Sequence, residues 1–507
     1  MNCGPMPCVE TKVPAAVAPA NARWLLAATV LGSSMDYIDG TVVNVALPSM
    51  QNSFGATGTE VQWVVEGYAL FLASLLLIGG SLGDQFGLRK IFLCGIVLFA
   101  IASLGCGLAH GIGQLLFARC LQGVGGALLV PNSLALLSSE FVGAERGRAI
   151  GTWSGFAAIM TALGPVIGGW VVQHASWRWA FFVNIPIAIA AVWTTKVKIP
   201  KREQRSSNPL DVRGAFLVTT GLGCITYSLL EWSNGHVVSR LAGAVGLVLS
   251  ALFLVNERYA RSPLINPKLF LSRTFAGANL LTFFLYGALS AALFYLPLNL
   301  IQAQSYTPTE AGAAMLPLIL VMFLLSRWAG GLVAQWGTRL PLVVGPFIAV
   351  FGYVLLAFPG VGGTYWATYF PAAIVLGLGM TISVAPLTTV VMSSVDENLS
   401  GTASGINNAV SQTAALLALA LTAPLFFARF GAVLKNDLVV LHLPSQTVSQ
   451  VEGQRRRLGA IQTTDVHAKY AIDEAFVGAF RLIVLLAAGS AAAAGFTAIA
   501  TVRDERP

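Results

Sequence analysis

Asp36, Asp39, Glu66 and Arg119 are charged residues set inside long apolar runs. Charge at membrane depth is expensive, and it usually faces a water-filled cavity or another charge, so such residues mark proton, ion or substrate paths. Asp36 and Asp39 stand three apart, and a helix projects both from one face. Counted along helices at about 1.5 Å per residue, Asp39, Glu66 and Arg119 lie roughly 8–14 Å below the same membrane edge. A carboxyl group there is pulled two ways, since desolvation favours the neutral acid and a nearby guanidinium favours the anion. Two readings are open. In one, Asp39 and Glu66 carry protons or cations, Arg119 is the switch partner, and Asp36 either joins the coupling set or merely faces the cavity wall. In the other, the charges form a static ion pair that holds helices together.

Other polar residues fall at helical spacing. Asn279, Thr282, Tyr286 and Ser290 share one helix face, and Ser404, Asn408 and Ser411 share another. With Asn44 of the first helix, Asn279, Tyr286, Asn408 and Ser411 are candidates for a substrate cavity, although hydrogen bonding between helices explains them nearly as well. Gly164-Pro165-Val166-Ile167-Gly168-Gly169 interrupts the fifth apolar run and reads as a kink or a close-packing surface. Arg327 lies near the end of its run, where its side chain can snorkel to the interface. His110, His174, His236, His442 and His467 all lie in or beside connections, and the six cysteines make no zinc or disulfide spacing. No GxxxxGK[ST] run occurs. No metal, cofactor or ATP-driven step is expected.

The elements that must position these groups are apolar. The chain has 507 residues, 56% hydrophobic and 10% charged, where soluble domains carry about 25% charge, so a soluble enzyme is excluded. The net charge of +8 resides in connections between apolar runs, which argues against nucleic-acid binding. Runs long enough to span a bilayer lie near 24–47, 61–82, 90–109, 112–137, 149–172, 179–197, 213–231, 240–256, 275–300, 310–334, 340–358, 365–392, 401–429 and 474–500. The first run is too long for a signal-peptide core and reads as a retained helix.

This gives an all-α membrane protein with fourteen transmembrane helices. A tail (1–23) precedes a six-helix bundle (24–197), a basic linker (198–212), two inserted helices (213–256) and a second linker (257–274). A second six-helix bundle (275–500) contains a long polar loop (431–473), expected to be solvated and external, and a short tail (501–507) follows. Basic residues accumulate on the cytoplasmic side of short loops, and with both termini inside, nineteen Lys and Arg fall there against Arg178 and Arg240 in the short outer loops. Gly80, Leu82, Gln85, Phe86, Gly87 and Arg89 recur 250 positions later as Gly330, Leu332, Gln335, Trp336, Gly337 and Arg339, as parallel repeats would. Asp84 has Ala334 as its counterpart.

Five runs in order resemble the fourteen-span drug:proton antiporter family of the major facilitator superfamily. Asp39-Gly40-Thr41-Val42-Val43-Asn44-Val45-Ala46-Leu47-Pro48 matches its first-helix motif, with Ile38 for the usual Leu. Gly80 to Lys90 resembles the loop motif after the second helix, and Arg119-Cys120-Leu121-Gln122-Gly123 matches R-x-x-Q-G of the fourth. Gly164 to Gly169 resembles the antiporter motif G-P-x-x-G-G, and Trp177 to Pro186 the start of the sixth helix. The resemblance covers nearly the whole chain. It implies a rocker-switch exporter in the cytoplasmic (inner) membrane that exchanges protons for a small molecule; two six-helix halves in one chain suffice for a working monomer, which is the expected state. Asp39 and Arg119 would serve coupling, Gly80, Asp84, Gly87 and Arg89 the cytoplasmic gate, and Gly164, Pro165, Gly168 and Gly169 the antiporter motif.

Gln85 and Leu88 stand where the loop motif usually has basic residues, which thins the gate's charge network. Glu66 replaces a small polar residue and adds a candidate second proton site or a preference for cationic substrates. The expected cargo is a drug or other amphipathic, often cationic compound. The alternatives are a dedicated exporter of one metabolite, lipid or siderophore, and a non-transporting receptor or scaffold on the same fold.

Overall fold

The computed structural model describes residues 19–141, 143–199, 210–232, 237–260, 263–395 and 400–502, without the side chains of 19–22, 143–148, 154, 158, 162, 327, 334, 400 and 401. Most of the terminal tails and of the 198–212 linker, and the Arg327 side chain, therefore lie outside the described residues.

Every predicted span is helical. In the first half these are α1 (Pro19–Phe54), α2 (Gly58–Phe86), α3 (Leu88–Gly107), α4 (Ile112–Glu140) and α5 (Gly143–His174), then the short α6 (Trp179–Phe182) continued by α7 (Asn184–Lys198). The inserted pair is α8 (Val212–Leu230) and α9 (Val237–Tyr259). The second half comprises α10 (Arg273–Gln302), α11 (Pro308–Ala314), α12 (Leu316–Gly330), α13 (Leu332–Trp336), α14 (Arg339–Ala357), α15 (Tyr369–Ser393), α16 (Ser400–Val440), α17 (Ser445–Gly453) and α18 (Val466–Thr501). Twelve helical spans among the described residues are long and apolar enough to cross a membrane; α1 and α8 are helical over the other two expected runs.

The internal repeat is structural as well as sequential. Gly87 and Gly337 both turn the chain with positive φ, 99° and 77°, which L side chains seldom adopt. Beyond each turn an arginine reaches the last helix of its own half. Arg89 donates to the carbonyls of Thr195 (3.2 Å) and Lys196 (3.0 Å) on α7, and Arg339 donates to that of Ile499 (2.7 Å) on α18. Each thereby satisfies carbonyls that a helix end leaves free, with a cation at the negative end of the dipole. Within a half, α4 packs on α2 and α3, as α15 packs on α12 and α14.

The halves meet along two seams, α2 against α16 and α5 against α11 and α12. The pair α8 and α9 leans on the first seam, where Leu222 joins Leu70 of α2 and Leu416 of α16.

Two expectations change here. The Gly164–Gly169 run does not interrupt α5, which is helical across Pro165. Its glycines permit contact, the close-packing reading. A Cβ on Gly164 would collide with the Thr41 hydroxyl of α1, one on Gly168 would sit 2.7 Å from the Val42 side chain, and one on Gly169 would strike the Pro308 carbonyl of α11.

The segment 431–473 is largely helical rather than a solvated loop. Phe426, Phe430, Leu434 and Leu438 form a buried i, i+4 stripe that carries α16 to Val440, and α17 and a 3-10 turn (Arg455–Ala460) lead into α18. Average polarity hid the amphipathic stripe.

Candidate transport site

Asp39 is carried by α1 and Arg119 by α4, and the two meet. Arg119 Nη1 lies 2.5 Å from Asp39 Oδ2, with both side chains at most 1% exposed. Around them is a connected set of donors and acceptors. Gln122 donates to Asp39 Oδ1 (2.8 Å) and to Ser103 Oγ (2.8 Å), and its Oε1 accepts from Arg119 Nη1 at 2.7 Å. Asn184 at the start of α7 donates to Ser103 Oγ (3.0 Å) and reaches Asp39 Oδ1 at 3.4 Å. Arg119 Nε donates to the Val64 carbonyl of α2 (2.8 Å), and its guanidinium lies 4.4 Å from the Tyr68 ring centroid. The Tyr68 hydroxyl donates to Asp36. Five elements of the first half thus converge on one buried pair, which offsets the large desolvation cost of two charges only while every partner is in place.

Glu66 does not join this cluster. It is fully buried on α2, and neither carboxyl oxygen has a hydrogen-bond partner. One turn away, Gln62 donates to the Leu419 carbonyl of α16 at 2.9 Å, so this face of α2 looks across the seam.

Beside the pair lies a cavity of about 1190 Å³ between the halves. Thr41 and Asn44 of α1, Tyr68 of α2, Arg119 of α4 and Pro165 of α5 face it from one side, and Ser290 of α10 and Gln412 of α16 from the other. Leu, Ile, Met, Val and Phe side chains supply most of the remaining wall. It reaches Gly151 of α5 and Ser326 of α12, towards the end that carries the Gly87 and Gly337 turns. The opposite end is shut where Gly169 abuts the Pro308 carbonyl and Gly312 the Pro165 carbonyl. There Gln302 donates to Gln51 Oε1 (2.9 Å), and Gln51 donates to the Arg457 carbonyl (2.9 Å).

Of the expected cavity residues, Asn44 lines the wall, with its Oδ1 unpartnered. Asn279, Tyr286, Asn408 and Ser411 do not. Asn279 Oδ1 and Thr282 Oγ1 accept from Asn407 at 3.2 and 2.7 Å, binding α10 to α16, and Ser411 donates to the Asn408 carbonyl (2.8 Å). The wall of α16 is instead Gln412, Ala415 and Leu419, a stripe rotated from the expected one. Asn407→Ala should lower stability by about 1 kcal/mol, near 0.6 per lost interhelical bond, and leave transport intact, as read by thermal melting of purified protein beside an uptake assay.

At the other motif, Asp84 is exposed and has no ion-pair partner among the described residues, whereas Arg89 is engaged inside its own half. Sequence reasoning quoted Gln122 and Asn184 within motifs and gave them no role. Ser103 and Tyr68 carried only the signal of a polar atom on an apolar helix.

The Major Facilitator Superfamily model matches residues 29–419. The chain is 32% identical over 429 residues to the tetracenomycin C resistance and export protein of Streptomyces glaucescens, covering 83% of this chain and 78% of that one. It is 33% identical to the methylenomycin A resistance protein of Bacillus subtilis, over 78% of this chain and 86% of that one. Multidrug resistance protein Stp of Mycobacterium tuberculosis is 31% identical, over 86% and 83%. The fold matches a solved bacterial homologue of the human lysosomal transporter Spinster with a TM-score of 0.66 at 17% identity, covering 96% of this chain and 99% of that one. The chain belongs to the Major Facilitator Superfamily: it is a multi-pass membrane transporter and not an enzyme.

Proposed function

We propose that this protein is a proton-coupled antiporter that exports drugs or other amphipathic, often cationic compounds across the cytoplasmic membrane by alternating access. The observation that carries the reading is the buried Asp39–Arg119 pair at the wall of a large, mostly apolar cavity between two repeat-related halves. The printed names of three relatives, each a resistance or export protein, support the same cargo class.

The fourteen helical runs are spans in this reading, both termini are cytoplasmic, and a single chain works as a monomer. The cavity then opens to the cytoplasm, and the α5–α11 contact closes the outside. A lipophilic compound enters, and its apolar body is removed from water by the Leu, Ile, Met, Val and Phe wall. A proton reaching Asp39 neutralises the carboxylate that holds Arg119. The guanidinium, left without its counter-charge, then favours a different arrangement of α1 and α4. Protonation thus changes the relative energy of the two access states, as coupling requires. In the outward-open state Asp84 lies at the closed cytoplasmic end, where it latches the loop motif against the facing half.

Everted vesicles with an acidified lumen test this. Addition of lipophilic cations and neutral amphipaths from a drug panel should release lumenal protons. Response to one compound alone would mark a dedicated exporter. No response from protein verified in the membrane would remove the antiport reading.

A further inference from the structure

We propose that Glu66 is a second proton site, neutral in this conformation and loaded from the closed end of the molecule through a one-water pocket beneath the Arg455–Ala460 turn. The inference rests on the antiport reading above and adds to it a proton separate from the one assigned to Asp39.

The first ground is the state of Glu66 itself. Its side chain is 0% exposed and both carboxyl oxygens lack partners. An isolated carboxylate in such a place costs far more than the neutral acid, and a group so placed takes up a proton instead. The surrounding elements offer no compensating charge. From α4, Arg119 approaches α2 only through the Val64 carbonyl and is committed to Asp39. From α1, Asp36 is held by Tyr68, on another face of α2. From α10 comes Tyr295, which lies near Gln62 of α2 and Thr422 of α16. From α8 comes Tyr227, against Trp63. None of these is a cation free to pair with Glu66.

The second ground is the route. Between Glu66 and the closed end lies a small pocket of about 20 Å³, enough for one water, where a cavity needs roughly 10–15 Å³ to hold one. Gln51, Gln62, Tyr295 and Gln302 contribute polar atoms to it, and Gln302 Oε1 is buried with no partner. Gln62 is one turn from Glu66, and Tyr295 lies near both. The roof is Leu458, whose side chain rests where a Cβ on Gly58 would fall and whose φ of 56° is strained for a leucine. This pocket is distinct from the central cavity, which Val65 and Ala69 face from the neighbouring side of α2.

The third ground is position. Glu66 lies on the α2 face that meets α10 and α16 across the seam between halves, and the seam must part for the outer end to open. Parting admits water and removes the penalty on the anion. Protonation of Glu66 therefore favours the state seen here, and ionisation favours the outward-open one. A proton bound from outside seals the outer seam, and it leaves to the cytoplasm through the central cavity, which Val65 and Ala69 line beside Glu66 and which Phe294 separates from the small pocket; its loss there drives the molecule outward-open.

The consequence is stoichiometric. With two protons exchanged for one monovalent cation, each turnover moves net charge, and a gradient of one pH unit supports about a hundredfold cation gradient. With one proton the exchange is electroneutral and supports about tenfold, since one pH unit is a factor of ten in proton activity. The experiment uses full-length protein in proteoliposomes with ethidium as the monovalent probe, driven either by an acid lumen or by a lumen-positive potassium diffusion potential set with valinomycin. Wild type should respond to both drives. Glu66→Gln should accumulate ethidium under the pH drive to about a tenth of the wild-type ratio, which also demonstrates a folded transporter, and should lose the voltage response. Glu66→Asp should restore it. Infrared difference spectra of the same samples should show a protonated-carboxyl band in wild type that Glu66→Gln removes.

A voltage response in Glu66→Gln equal to wild type, or a carboxyl band untouched by the substitution, overturns the second site and leaves the antiport reading standing. A wild type in which ethidium and the wider panel move under neither drive overturns the antiport reading and this inference together.

Discussion

Asp39→Asn should abolish substrate-driven proton release, with the protein still inserted in the membrane. The amide keeps the shape of the carboxyl group but removes the charge that holds Arg119 at 2.5 Å. Arg119 would remain buried, with the Gln122 amide, the Val64 carbonyl and the Tyr68 ring as its surroundings. Breaking one side of a buried pair costs roughly 3–5 kcal/mol, so the variant should also melt earlier. The transport effect is larger in consequence. With two protons per neutral substrate the exchanger sustains about a hundredfold gradient per pH unit, but without the Asp39 proton that releases Arg119 the access states no longer answer to protonation and no gradient is sustained. Vesicle pH recordings with a neutral amphipath check this directly. Proton release at the wild-type rate in Asp39→Asn would show that coupling resides elsewhere.

Gln122→Ala separates the charge from its setting. It deletes the donor shared by Asp39 and Ser103 and leaves both ions, so it should weaken coupling without abolishing it.

The second large effect is expected from Gly312→Leu. A Cβ at this position would fall on the Pro165 carbonyl of α5, and backbone cannot be displaced as a flexible side-chain tip can. The leucine must hold α5 and α11 apart at the end that is shut here. Transport should fall by at least about tenfold, which corresponds to about 1.4 kcal/mol against the closed state. The cause can be read separately. In a cysteine-free background carrying Asn44→Cys on the cavity wall, a membrane-impermeant maleimide added outside intact cells should label faster when Gly312→Leu is present. Wild-type transport with unchanged labelling would show that this contact is not the outer gate. Gly169→Leu, aimed at the Pro308 carbonyl across the same seam, should behave alike.

The two variants act on different parts of one cycle. Asp39 sets which state a proton favours, and Gly312 sets whether one of those states can form. Glu66, by the inference above, links the two.

Much of this was legible in the sequence because the bilayer imposes strong one-dimensional rules. Apolar length is fixed by membrane thickness, which located fourteen runs that are all helical, and the cost of charge in lipid singled out Asp36, Asp39, Glu66 and Arg119. The 250-residue repeat predicted equivalent positions in two halves, and Arg89 and Arg339 cap equivalent helices. Those properties depend on residue type and spacing along one helix.

What only the tertiary structure decided depends on helix rotation and on contacts between distant segments, and spacing along a single helix does not encode either. Asp39, Glu66 and Arg119 share a depth, yet rotation about α2 turns Glu66 to the α16 seam and leaves Asp39 to pair with Arg119 alone. The stripe of Asn279 and Thr282 was correctly polar, but Asn407 of α16 satisfies it, which takes it off the cavity wall. The Gly164–Gly169 run was read as a kink or a close-packing surface, because a sequence cannot say what lies opposite; opposite the glycines stand α1 and α11, and the helix is continuous. The segment 431–473 read as a solvated loop because its polar residues outnumber buried Leu434 and Leu438, which continue a stripe from Phe426 and Phe430, and only the tertiary structure sets Phe476 of α18 against that stripe.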